Sequence, residues 1–140
     1  MKPAHRKRAR NLALQALYAW QMSGNDIQQV ELSIATTNDM KKVDMEYFQA
    51  ILSGVTTDVE ELDKVYKPYL GRLPEELDPI EKAIMRLATY ELTDRLDTPF
   101  KVVINESIEL AKSYGAEESH KFINGALDKA VKTLRKNERS

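Results

Sequence analysis

Apolar residues along this chain recur at spacings of three and four, and no stretch alternates convincingly at two. In the first segment Ala9, Leu12, Ala13, Ala16, Leu17 and Trp20 fall on one helical face, the pattern of a helix that buries a stripe against its neighbours. The period continues through a shorter, weaker segment with Ile27, Val30, Leu32 and Ile34. A longer one follows, where Phe48, Ile51, Leu52, Val55, Val59 and Leu62 share a stripe. Three more stripes come later: Ile80, Ile84, Leu87, Ala88 and Leu92; Val102, Val103, Ser107 and Leu110; and Phe122, Ile123, Ala126, Leu127, Ala130 and Leu134. The expected fold class is therefore all-α, with six or seven helices. At 140 residues and 42% hydrophobic, the chain is large enough for one domain with a real core.

Punctuation sets the expected boundaries. Pro3 suits a first helical turn and Ser23-Gly24 a stop, while Asp44 can cap the third helix. Asp78-Pro79-Ile80-Glu81 reads as N-cap, N1 proline and capping-box acid. Thr98-Pro99 repeats the start, and Gly115 ends that helix. Residues 67–78, KPYLGRLPEELD, hold two prolines and a glycine and read as a hinge. The expectation is one domain over residues 1–140 with two helical subdomains, 1–66 and 79–136, and residues 137–140 frayed.

The formal net charge of -1 hides an uneven distribution. Residues 1–25 carry five Lys or Arg and no acid; residues 26–120 are net -10; residues 121–140 are net +4. Basic ends suit a polyanion, and an acidic middle suits a basic protein. No cysteine is present, which excludes disulfides, thiolate metal sites and Cys nucleophiles. His5 and His120 lie in different segments without ligand neighbours at helical spacing. No phosphate-binding loop, nucleophile elbow or dinucleotide fingerprint occurs. Glu106 falls near an inward face, where a paired core carboxylate outweighs a general acid. The expectation is no enzyme, no metal and no cofactor. Nothing resembles a signal peptide or membrane span, so the expected location is cytoplasmic.

Two segments suit nucleic acid. Lys2, Arg6, Lys7, Arg8 and Arg10 surround one end of the first helix, an arrangement that grips phosphates more than it reads a groove. Lys7, Arg10, Leu14 and Tyr18 share one flank of that helix, and Arg6 borders its core face. At the start of the last helix, Ser119, His120 and Lys121 can donate to nucleic acid, and Phe122 can either stack on a base or join the core. Glu117 and Glu118 there suit a helix dipole.

Three blocks, RARNLALQALYAWQMS, PEELDPIEKAIMRLATYEL and PFKVVINESIELAKSYGAEESHKFINGALDK, carry a resemblance to the NusB family of transcription antitermination factors. It extends from residue 8 to residue 129 and implies two perpendicular three-helix bundles. It also implies a heterodimer with ribosomal protein S10 (NusE) that binds boxA of nascent ribosomal RNA and helps RNA polymerase resist termination. The positions matching the family's RNA-binding arm are Lys2, Arg6, Lys7, Arg8 and Arg10; a second RNA region matches Glu118, Ser119, Lys121 and Phe122. The S10-facing surface matches Tyr18, Glu75 and Glu81. The alternatives are a structural helical homodimer and an RNA-binding accessory module of an rRNA-modifying system; the chain has no room for a methyltransferase domain.

Overall fold

Proline and glycine set the limits of the first helix. Pro3 opens α1 (Pro3–Ser23), where its missing N–H is no loss. Gly24 closes it at φ 71°, its N–H donating to the Trp20 carbonyl at 3.1 Å. The structure is a computed structural model that describes residues 2–139. Asp26 then caps α2 (Ile27–Thr37) by accepting the Gln28 N–H at 3.2 Å. Asp44 caps α3 (Met45–Thr57) by accepting the Tyr47 N–H at 3.1 Å. The stripe that reads as one helix through residue 62 is broken at Asp58, after which α4 runs Val59–Tyr66. Thr57 and Asp58 are weak helix formers, and the Thr56 hydroxyl donates back to the Leu52 carbonyl at 2.7 Å.

Two short 3-10 turns follow, Lys67–Tyr69 and Pro74–Glu76. The remaining helices are α5 (Pro79–Asp94), α6 (Phe100–Tyr114), α7 (Ser119–Leu134) and α8 (Lys136–Arg139). No described residue is in a strand. The α5 start is as its sequence spells it: Asp78 accepts the Glu81 N–H at 2.8 Å, and Glu81 accepts the Asp78 N–H at 3.3 Å. Thr98, by contrast, does not cap α6; it is buried, and Pro99 is the N-cap. The Phe100 N–H is met instead by the Glu138 carboxylate at 2.9 Å. That contact comes from α8, in residues the sequence leaves as a frayed end.

The chain forms two compact units, residues 1–57 and 58–140, so the segment 67–78 lies inside the second. In the first unit α1 packs on α2 and α3, and Leu17, Tyr47, Phe48, Ile51, Leu52 and Val55 are fully buried or nearly so. Each such side chain contributes about 1.5–3 kcal/mol by leaving water. Leu14 and Arg10, assigned to a flank by the helical wheel, are buried too. In the second unit α5 contacts α4, α6 and α7 and is buried around most of its circumference. Val102 of the α6 stripe is 39% exposed, and Leu32 of the α2 stripe is 65% exposed.

Two charged clusters hold the second unit together. Asp63 on α4 accepts Arg86 Nε and Nη2 of α5, both at 2.9 Å, and the Tyr66 hydroxyl at 2.7 Å. Burial, and then the bond to Asp63, pushes the Tyr66 phenol well up from its ordinary value. Arg86 is thus held against α4 by Asp63, and Glu106 is half-buried. At the other end Arg135 donates to the carbonyls of Leu92, Glu91 and Arg95 around the C-terminus of α5, adding to the Arg95 and Thr98 N–H groups that Glu91 and Arg95 already accept. Its Nη1 pairs with Glu138.

Candidate nucleic-acid interface

The cations of α1 and its N-cap Lys2 sort into two sets. Lys2, Lys7 and Arg8 are exposed, and Arg8 Nη1 donates to the Lys42 carbonyl at 3.3 Å. Arg6 and Arg10 turn inward onto Tyr47 of α3, their guanidinium carbons 4.3 and 5.2 Å from its ring centroid. Arg6 Nε lies 3.5 Å from Asp44, and Arg10 Nη2 lies 3.5 Å from the Tyr47 hydroxyl. Arg10 is buried, which corrects its place among the exposed arm residues: its charge serves the α1–α3 contact. Arg6 keeps a quarter of its side chain exposed, as expected of a stem lying along the core.

Beside the exposed set, Lys7, Arg8, Asn11, Gln15, Asn38 and Asp39 line an open cleft of about 410 Å³. The sequence pattern gave Asn38 and Asp39 no role, since they come to α1 only through the fold of the α2–α3 connection.

The second region lies at the start of α7. Gly115 closes α6, and a Cβ there would sit 2.8 Å from the Ala111 carbonyl and 3.1 Å from Ser119 Cβ, so only glycine lets the chain turn this tightly. Glu118 and Lys121 are exposed and ion-paired at 3.1 Å. Ser119 is buried, and its hydroxyl donates to Glu81 Oε2 at 2.9 Å. This corrects the expectation that Ser119 is presented as a donor. Phe122 is half-buried, neither core nor bare surface, and the Arg72 guanidinium lies over its ring at 3.9 Å. His120 is also half-buried.

Of the residues expected to face a protein partner, Tyr18 and Glu75 are exposed. Glu81 is not: only 10% of its side chain is accessible. Its oxygens are occupied by Ser119 and the Asp78 N–H, with Arg72 Nη1 at 3.9 Å. It is corrected from a surface charge to an anchor joining the start of α5 to that of α7. Arg72 is the residue of this region that the sequence reading missed. It sits in the segment 67–78, and no local pattern marks it; only the fold brings it to Phe122.

Among the described residues no group of His, Cys, Asp and Glu could hold a metal ion, and no helix is long and apolar enough to cross a membrane.

A family model described as the NusB family matches residues 7–132. The chain is 70% identical over 139 residues to the transcription antitermination protein NusB of Alteromonas mediterranea, covering 99% of each chain. Among solved structures it is similar to T. maritima NusB, with a TM-score of 0.83, 32% identity and 95% of each chain covered. It is also similar to a chain in the crystal structure of antitermination factors NusB and NusE in complex with dsRNA. There the TM-score is 0.80 at 25% identity, over 94% of this chain and 98% of that one.

Proposed function

The chain belongs to the NusB family of transcription antitermination factors, and from that premise we propose that it binds boxA of nascent ribosomal RNA together with ribosomal protein S10 (NusE), so that RNA polymerase resists termination. One observation carries the RNA half of this reading: the cations of α1 and its N-cap divide into an exposed set, Lys2, Lys7 and Arg8, and a set anchored on Tyr47, Arg6 and Arg10. The anchored pair fixes the helical turn from which the exposed set projects. Lysine and arginine side chains on such a turn neutralise phosphates and supply affinity that is largely independent of sequence.

The second contact region is the start of α7, with Glu118, Lys121 and Phe122 as its outer members. Ser119 and Glu81 act behind it, holding the helix start in place through their buried hydrogen bond. Tyr18 and Glu75 are the S10-facing candidates; a tyrosine ring and an acid suit a basic partner. That the similar solved complex contains NusE and double-stranded RNA supports both partners.

The test is fluorescence anisotropy of a boxA RNA and a scrambled RNA, with and without S10, at two salt concentrations. The expected result is a preference for boxA that grows when S10 is added, with the affinities for both RNAs falling at high salt. Equal binding of boxA and scrambled RNA in the presence of S10 overturns the reading.

A further inference from the structure

Arg72 belongs to neither the RNA-facing nor the S10-facing residues assigned so far. It follows Gly71, whose φ of 68° lies in the left-handed region, so the turn that presents Arg72 depends on glycine. Its guanidinium carbon lies 3.9 Å from the centroid of the Phe122 ring. Its Nη1 lies 3.9 Å from Glu81 Oε1, and 38% of its side chain is exposed. Glu81 is itself fixed by Ser119 and Asp78. The guanidinium therefore has one face on an aromatic ring and one edge toward an anchored carboxylate. With Phe122 on one side, the exposed part of the side chain is where a second layer would add.

A planar, delocalised cation held in this way is a stacking surface. Unpaired RNA bases stack on arginine planes as well as on aromatic rings, and stacking tolerates any base because every base has a π-face. We propose that Arg72 is a base-stacking residue of this protein: one unpaired base lies on its guanidinium, forming a three-layer stack of base, Arg72 and Phe122. The inference rests on the reading of the α7 start as an RNA contact, and it changes the part Phe122 plays there. The ring face under Arg72 is already covered, so Phe122 supports the platform and the base meets arginine. Glu81 offsets part of the arginine charge, so Arg72 contributes through its plane more than through phosphate neutralisation.

The experiment is an abasic walk. A single-stranded boxA RNA is prepared intact and with one base removed at each position in turn. Each RNA is titrated by anisotropy against the full chain and its Arg72→Lys and Phe122→Leu variants, with melting temperatures measured alongside. In the parent protein, removing the stacked base weakens binding about five-fold or more. Arg72→Lys keeps the charge and loses the plane. It is expected to weaken binding of intact RNA by a similar factor, to make removal of that one base cost nothing further, and to leave the salt slope unchanged.

Parent-like binding by Arg72→Lys, or an equal loss on intact and every abasic RNA, overturns the stack. Coupling of the abasic position to Phe122→Leu but not to Arg72→Lys also overturns it, placing the base on phenylalanine directly and leaving the RNA reading intact. Failure of the parent protein, with S10 present, to prefer intact boxA over scrambled RNA is a different result: it overturns the RNA reading itself, and the stack with it.

Discussion

Glu81→Lys separates a stability effect from a binding effect, and the structure gives its size. The carboxylate accepts the Ser119 hydroxyl at 2.9 Å and the Asp78 N–H at 3.3 Å, with 10% of the side chain exposed. Lysine accepts neither bond, so Ser119, itself 3% exposed, becomes a buried hydroxyl without this acceptor, at about 1–3 kcal/mol. Loss of the capping box and a cation in the first turn of α5 add about 1 kcal/mol. The new ammonium also enters beside Arg72. The expected destabilisation is about 2–4 kcal/mol, which for a chain of 140 residues lowers the melting temperature by roughly 10 °C. Glu81→Gln keeps an acceptor oxygen and the side-chain shape, and is expected to lose less than half as much. Thermal melts by circular dichroism, with S10 binding measured well below the transition, provide the readout. Glu81→Lys melting within about 2 °C of the parent protein refutes the anchoring argument; a large drop with unchanged S10 affinity removes Glu81 from the partner surface while leaving its anchoring role.

Three further outcomes follow from particular contacts. The folded protein holds the Tyr66 proton to higher pH than the unfolded chain does. Its contribution is therefore complete below the ordinary phenol pKa of about 10 and is lost as pH rises above it. Tyr66→Phe should flatten this alkaline loss in denaturant titrations at neutral and alkaline pH, and equal losses in both proteins contradict it. The Glu138 carboxyl is held below its usual range, first by the Phe100 N–H and then by Arg135. Its contribution is present above the ordinary carboxyl pKa and disappears as pH falls through the lowered one. Glu138→Ala should therefore melt lower than the parent at neutral pH and converge with it in acid; a constant gap counts against the α8 clasp. Glu118→Asn removes a carboxylate paired with Lys121 at 3.1 Å. It should raise boxA affinity about three-fold at low salt, whereas unchanged or weaker binding takes Glu118 off the RNA surface.

What the sequence discloses here is local, and what it hides depends on tertiary neighbours. The Asp78-Pro79-Glu81 start was legible because capping is decided within four residues. The α6 start was misread because its donor is met by Glu138, 38 positions away. Helical period identified the α1 stripe but not the burial of Arg10, since a wheel gives charge no reason to enter the core; Tyr47 on α3 supplies that reason. Similarly, Phe122 could be read as core or as surface, and the structure leaves it between the two under Arg72. The stripe across residues 48–62 was correct in phase, yet period alone does not register the break at Asp58.

The most direct test of the account is the salt dependence of boxA binding when the exposed cations of α1 and its N-cap are removed together. Lys2, Lys7 and Arg8 are surface residues, so their combined replacement by alanine should leave the melting temperature close to that of the parent protein. If each contacts one phosphate, the log–log slope of affinity against salt should fall by about 0.7 per residue, or about 2 in all, with boxA and scrambled RNA weakened alike. A folded triple variant with the parent protein's salt slope contradicts the assignment of this helix end to RNA.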